Sequence, residues 1–296
     1  MSEGKPADGG AVERILGGWR YFGHPIRPGA AEIAAVERRL AEIERPRTLA
    51  LGATPELVDL AIGRNARRVV LIDWNEDAAE AMRRLASRDW SGVERIVSDW
   101  REPRKELEGG FDAAIGDGTF TFMRFPEDWR LLFGILARYI VPGGLIATRE
   151  LFLPPEPFDF PSRVDAALER YEAEAPEAEP ERRFILFRNM LAELRMGSVL
   201  AATDGGGRVD SAARAAWHER LGKDLAHRYP DGDPAMAVDA VFGERSKARP
   251  MEAISTITTG EAEKLIGELG FRMESNDPIG SAPAPGALRL MVARRV

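Results

Sequence analysis

The hydrophobic pattern between residues 48 and 73, TLALGATPELVDLAIGRNARRVVLID, changes period twice. Leu49 to Leu51 is a short apolar run of the kind a buried strand needs, and Gly52 breaks it. Thr54 then stands where a helix N-cap belongs, with Pro55 at the first helical position, where a missing N–H does no harm. Leu57, Val58, Leu60, Ala61 and Ile62 follow at helical spacing as far as Gly63. Residues 69–72 form a second apolar run, closed by Asp73. Two parallel strands joined by a right-handed helical crossover open a nucleotide-type crevice at the strand C-termini.

The alternation continues along the chain. Residues 32–43 place Ile33, Val36, Leu40 and Ile43 on one helical face, and residues 76–87 read as the second crossover helix. Strands are predicted at 93–97, 111–115 and 145–148. A helix is predicted at 127–139, with Leu131, Leu132, Ile135, Leu136 and Tyr139 as its stripe and a turn at Val141-Pro142-Gly143-Gly144. This is the pattern of an α/β, doubly wound, mostly parallel sheet. At about residue 153 it stops. LPPEPFDFP reads as a linker, and residues 161–249 read as helical, with an acidic, Pro-broken mobile loop at 172–181 and a turn at 204–207. Near Ile254 the β/α pattern returns. Thr258 and Glu261 form a capping box, and two strands follow at 271–275 and 288–293, joined by PIGSAPAPG.

Four segments result: an N-terminal strap and helix at 1–45, a cofactor-binding core at 46–152, a helical insertion at 153–250 and a return to the core sheet at 251–296. Residues 1–12 offer little to bury and are expected to be disordered. Residues 17–29, GGWRYFGHPIRPG, hold three aromatics among prolines and glycines. They read either as a strap over core surface or as a lid over the crevice. The insertion carries Phe184, Ile185, Leu186, Phe187, Met190 and Leu191, more apolar surface than one helix face needs. An acceptor pocket, packing on the sheet and a homodimer interface are the roles open to it.

Composition narrows the function. The absence of cysteine removes disulfides, thiol catalysis and cysteine-bound zinc. A formal net charge of -7 weighs against nucleic acid as a partner. No apolar run approaches the roughly 20 residues needed to span a bilayer, and the polar start is no signal peptide. A cytoplasmic protein is expected. No metal site is read. His218 and His227 fall in the insertion as solvated helix-face histidines.

The candidate chemistry lies at the strand ends: Gly52-Ala53-Thr54, Asp73-Trp74, Ser98-Asp99-Trp100 and Asp117-Gly118-Thr119. That edge is where ligands bind in such sheets. The first turn offers close backbone approach and helix N–H donors. Asp73 stands about 20 residues beyond the glycine turn, the spacing of a ribose-binding acid. Asp99 can accept from an exocyclic amine, and Trp74 and Trp100 offer flat faces. Each residue taken singly also suits a cap, a turn or core packing. The joint pattern, repeated in order, describes an adenosine site. The dinucleotide fingerprint fails at Thr54 and Leu57, and no phosphate loop of the ATPase kind is present.

The chain here resembles the class I S-adenosylmethionine-dependent methyltransferases. LALGATPEL stands at the position of that family's first motif, and VVLIDWNEDAAEAM resembles its second. IVSDW resembles its adenine-contacting segment, FDAAIGDGTF its fourth-strand motif and YIVPGGLIATRE the turn and strand that follow. The resemblance covers residues 47–151 and, more loosely, 254–294. It implies a seven-stranded sheet, S-adenosylmethionine as cofactor and methyl transfer to a small-molecule acceptor. The first motif departs from the family, with Ala50, Thr54 and Glu56 around Gly52. Glu56 or Asp117 is expected to meet the ammonium of the methionine moiety. Candidate bases are Asp117, Glu150, His24 and Tyr21, and Arg27 or Arg149 is expected to hold an anionic acceptor. The departure also leaves open a non-catalytic adenosine-ligand binder on the same scaffold, with protein or RNA methylation less favoured.

Overall fold

Apolar runs become strands because their residues are buried on both faces of one sheet. The computed structural model describes residues 9–204, 207–242, 254–280 and 282–296. Ahead of the insertion the elements are α1 (Gly9–Trp19), α2 (Ala30–Leu40), β1 (Arg47–Leu51), α3 (Pro55–Gly63), β2 (Arg68–Asp73), α4 (Glu76–Leu85), β3 (Val93–Val97), β4 (Phe111–Asp117), α5 (Glu127–Tyr139) and β5 (Ile140–Leu151). The insertion follows as α6 (Phe160–Glu174), α7 (Pro180–Ala201), α8 (Ser211–Arg228) and α9 (Gly232–Phe242). The chain ends with α10 (Thr259–Glu268), β6 (Phe271–Pro278) and β7 (Leu288–Arg295).

The described strands form one seven-stranded sheet in the order β3-β2-β1-β4-β5-β7-β6. β1 to β5 are parallel, and β7 runs antiparallel to both β5 and β6. This is the doubly wound, mostly parallel seven-stranded sheet expected. Strand order reverses between β1 and β4, which puts a crevice outside their C-terminal ends. Leu49, Leu51, Val70, Ile72 and Ala114 face α5 and α10. Ala50, Leu71, Ala113 and Ile115 face α2, α3 and α4. Burial on both faces is why these strands lack polar alternation.

Local signals held at several ends. Thr258 and Glu261 form the reciprocal capping box of α10, and Asn75 Oδ1 caps α4 by accepting from Ala78 N–H at 3.0 Å. Elsewhere tertiary packing prevailed. The expected turn at 141–144 lies inside β5, where the register steps from Phe111↔Ile140 to Ala113↔Leu145. The surplus residues bulge out, with Gly143 at φ +80. Residues 9–12, expected to be disordered, begin α1 instead, and residues 1–8 lie outside the described residues. An isolated 11-residue helix is marginal in water, so α1 depends on docking Val12 and Leu16 into the core. The expected acidic loop at 172–181 is the end of α6, one 3-10 turn and the start of α7. Pro176 and Pro180 sit in first turns, where proline is tolerated. Leu131 is exposed rather than part of the α5 stripe, whose buried face instead includes Trp129 and Phe133.

The insertion packs on itself around Phe187, Leu191, Leu194, Leu221, Val238 and Phe242, which absorbs much of the apolar excess of α7. His218 belongs to that interior. It is buried, with Nε2 2.9 Å from Ser198 Oγ and its ring edge-on to Phe242, which corrects the expectation of a solvated histidine. His227 is exposed. Of the glycine turn at 204–207, residues 205–206 lie outside the described residues, as do the segment boundary at 250–251 and Ser281 of the loop before β7. Among the described residues no helix is long and apolar enough to cross a membrane.

Candidate functional site

The C-terminal ends of β1, β2 and β4 floor a cavity of about 720 Å³, walled on its far side by α1. Gly52 ends β1 with φ +98, a conformation that favours glycine. A Cβ there would lie 3.3 Å from the Trp100 ring, so that ring closes directly onto the backbone. Trp100 is fixed in this pose by its indole N–H, which donates to the Ile72 carbonyl at 2.9 Å. Ala53 and Thr54 also line the cavity. Thr54 occupies the N-cap position of α3 without a side-chain capping bond.

Asp73 sits between these turns. Its Oδ2 accepts from Ala53 N–H at 3.0 Å and its Oδ1 from Asn75 N–H at 2.9 Å. Burial raises its pKa, against the lowering effect of the two backbone bonds. Trp74 stands at the cavity rim, 71% exposed. Asp99 lies beyond Trp100, beside a smaller adjoining space of about 380 Å³. Its carboxylate accepts from Arg101 Nη2 at 2.6 Å and from Nε at 2.9 Å, which holds it below the usual carboxylate range. Ser98 lines neither space; it is buried, with Oγ donating to Glu102 Oε2 at 3.1 Å.

The β4 end is built differently. Asp117 lines the cavity, but the Arg149 guanidinium grips it twice, Nε to Oδ1 at 2.7 Å and Nη2 to Oδ2 at 3.0 Å. Arg149 Nη1 also donates to Glu32 Oε2 at 3.2 Å and to the Pro25 carbonyl at 3.0 Å, and Nη2 donates to the Ile26 carbonyl at 2.9 Å. Burial pulls the Arg149 pKa down, and Asp117 and Glu32 more than restore it. The guanidinium is thus spent on tying the 25–32 segment to the sheet edge, which leaves it no donors for an anionic acceptor. Thr119 is fully buried, with Oγ1 donating to the Leu51 carbonyl, and Gly118 turns the chain at φ +67 against Phe122.

The other candidates lie off the cavity. Glu150 is buried beneath the turn after β4, accepting from Phe120 N–H at 3.1 Å and from Thr121 N–H and Oγ1 at 2.8 Å. Desolvation pushes its pKa up to about 7. It secures that turn and has no path to a ligand. Arg27 binds Glu56, with Nε to Oε1 at 2.7 Å. Both Arg27 bonds use Oε1, which spends the expected acceptor cation, while Glu56 Oε2 is buried without a partner. Tyr21 packs edge-on to Phe184 at 5.2 Å, against the insertion. His24 Nδ1 lies 3.3 Å from Glu32 Oε2, and its ring faces a separate pocket between α6 and α7.

Ala11, Arg14 and Ile15 had no place in the sequence reading of the cavity, whereas Gly18, Trp19 and Phe22 fall in the 17–29 segment read as a strap or a lid over the crevice. Ala11, Arg14, Ile15, Gly18 and Trp19 form one face of α1 on the cavity wall, with Phe22 just beyond. Their i, i+3, i+4, i+7, i+8 spacing was a helical signal, obscured by Gly17-Gly18 and the polar N-terminus. Asp77 and Phe122 also line the cavity. Nothing in the sequence marked Glu32 as the partner of Arg149. Among the described residues no group of three or more His, Asp or Glu side chains is placed to hold a metal.

No protein-family model matches the chain, and no curated protein matches it in sequence. Solved structures match it in fold. One, from Rhodobacter sphaeroides and provisionally described as a Zn-dependent alcohol dehydrogenase, has a TM-score of 0.53 at 16% identity, covering 97% of this chain and 99% of its own. The 1,6-didemethyltoxoflavin-N1-methyltransferase of Burkholderia thailandensis, solved with 1,6-didemethyltoxoflavin and S-adenosylhomocysteine, has a TM-score of 0.51 at 13% identity, covering 100% of this chain and 92% of its own. An S-adenosylmethionine-dependent methyltransferase of Mesorhizobium loti has a TM-score of 0.50 at 15% identity, covering 90% and 99%. The fold is therefore the Rossmann-like fold of class I S-adenosylmethionine-dependent methyltransferases.

Proposed function

We propose that the cavity binds S-adenosylmethionine and that the protein transfers its methyl group to a small-molecule acceptor. The observation that carries this reading is the convergence of Gly52, Asp73 and Trp100 on one cavity at the switch point of the sheet. Its volume lies within the roughly 300–1,000 Å³ usual for small-ligand sites. Each Asp73 oxygen spends one lone pair on a backbone N–H, which leaves acceptor capacity for ribose hydroxyls. Trp100 and Trp74 offer faces for a purine. Bound there, the cofactor supplies a methyl group on a cationic sulfur. Asp73 and Asp77 give the floor of the cavity the opposite charge.

The residues of the chain act mainly by position. Transfer is an in-line displacement: an acceptor lone pair forms the new bond to the methyl carbon while the carbon–sulfur bond breaks and its electron pair stays on sulfur. Alignment accounts for much of the rate of such a step. The α1 wall narrows the site. Arg149 holds Asp117, and Glu150, His24 and Tyr21 lie outside the cavity, so none of the four is placed as a general base in this conformation.

Calorimetric titration with S-adenosylmethionine and S-adenosylhomocysteine tests the reading, with binding of both expected. No binding of either removes it. The arginine clamps on Asp117, Asp99 and Glu56 favour one alternative, a non-catalytic binder on the same scaffold. Binding without S-adenosylhomocysteine formation on any acceptor of a broad panel would select it. Protein or RNA methylation is less favoured, RNA in particular, because the chain carries a formal net charge of -7.

A further inference from the structure

The cavity has two chemically unlike walls. Its floor carries the carboxylates Asp73, Asp77 and Asp117. The opposite wall, from α1 and the turn after it, carries Arg14, Trp19 and Phe22 and no acid. The side chain of Arg14, an exposed residue, makes no hydrogen bond or salt bridge to any described residue, unlike Arg27, Arg101 and Arg149 around the floor. Trp19 Nε1 is buried with no acceptor. Behind Phe22 lies a second cation. Arg188 of α7 stacks its guanidinium 4.4 Å from the Phe22 ring centre, with its Nε buried and unpartnered. Burial lowers the Arg188 pKa, and no carboxylate offsets that effect.

Aromatic rings are also in surplus. Trp19, Phe22, Trp74, Trp100 and Phe122 all line this one cavity. A purine has two faces and uses at most two rings, and those nearest Asp73 are Trp74 and Trp100. Trp19 and Phe22 lie on the wall that also holds the unpaired cation and the orphaned indole N–H.

From this division, and on the methyltransferase reading of the cavity, we propose that the methyl acceptor is a planar aromatic anion, a carboxylate or ionised phenol, stacked on one of the nearly perpendicular rings of Trp19 and Phe22 and edge-on to the other, with its charge toward Arg14. The proposal also accounts for the base-poor site. An acceptor that arrives ionised has no proton to remove. Its oxygen lone pair bonds the methyl carbon, the carbon–sulfur pair returns to sulfur, and the sulfonium charge and the acceptor charge cancel in two neutral groups.

The test uses 2-naphthoate, its saturated counterpart decahydro-2-naphthoate and the neutral 2-naphthamide. Each is titrated by calorimetry into the full-length protein, with and without saturating S-adenosylhomocysteine. Binding of 2-naphthoate at least fivefold tighter than both others is the expected result. A preference below fivefold over either one, or no binding of 2-naphthoate, overturns the proposal. Arg14→Gln is expected to abolish the preference over 2-naphthamide, and its retention counts against the assigned contact. Gly18→Leu serves as an independent variant. A Cβ at Gly18 meets nothing within 4 Å, so a larger side chain there projects into open space on the cavity wall. It is expected to weaken 2-naphthoate at least fivefold, and an unchanged affinity moves the acceptor elsewhere. Titration of S-adenosylhomocysteine alone separates the two readings. If it fails to bind, the methyltransferase reading falls; if it binds and the naphthoate preference is absent, only the acceptor class falls.

Discussion

Asp73 and Asp117 end the two strands that flank β1, and both line the same cavity, yet their charges are handled in opposite ways. Asp73 is held by two backbone N–H groups from turns next to it, with no salt bridge to any described residue. Asp117 is gripped by a buried arginine that also binds Glu32 and two carbonyls of the 25–26 segment. One acid keeps its charge for a ligand. The other spends most of its charge closing the molecule. Identical side chains at equivalent strand ends thus serve binding in one case and assembly in the other, and the difference comes from the side chain that packs opposite.

The largest expected effect comes from breaking the assembly side. Arg149→Met removes the cation and leaves Asp117 and Glu32 buried without it. Loss of one partner from such a pair costs about 3–5 kcal/mol. Thermal and urea denaturation should show a stability loss of that order, and a change under 1 kcal/mol would remove the clamp from this account.

The acids themselves sharpen the contrast. Asp73→Asn should weaken S-adenosylhomocysteine by about ten- to a hundredfold, the weight of one or two charged hydrogen bonds of roughly 1.5–3 kcal/mol. Asp117→Asn should cost stability more than affinity. Calorimetry and denaturation on both variants decide the matter, and a larger affinity loss in Asp117→Asn would reverse the assignment.

The smallest effect concerns Glu150, the acid next along β5. Its pKa is raised from 4.5 in the unfolded chain to about 7 in the fold. Between those values the folded state binds the extra proton, so stability is greatest at the acid end of that window and falls as pH rises through about 7. Glu150→Gln should remove roughly 1–3 kcal/mol of that change across the window. The measurement is urea denaturation of both proteins from pH 5 to pH 8. Parallel curves would mean that Glu150 stays ionised throughout.

Much of the core was legible in sequence because its signals are local. Gly52, the proline at the first turn of α3, the capping box of α10 and the two-face burial of β1 and β4 each depend on a few neighbouring residues. The site was legible in part. Gly52, Asp73, Trp74, Trp100 and Asp117 all reach the cavity, because a parallel sheet delivers its strand ends to one edge. Ser98 and Thr119 share those strand ends but turn inward, and Asp99 is taken by an arginine two residues on. The aromatic end of the α1 wall fell within the segment read as strap or lid, but its helical part was missed because a short helix interrupted by Gly17-Gly18 has little stability of its own. Docking of Val12 and Leu16 supplies it.

Hydrophobic period, turn residues and strand-end acids were therefore set by the sequence itself, since each rests on contacts between residues close in the chain. The pairings of Arg149 with Asp117 and Glu32, Arg27 with Glu56 and Trp100 with Gly52 were decided only by the tertiary structure. Those contacts join residues 29 to 117 positions apart, or close a ring onto a backbone that no local pattern marks. Whether a carboxylate faces a ligand or a guanidinium is an electrostatic question about neighbours in space, and the fold alone brings those neighbours together.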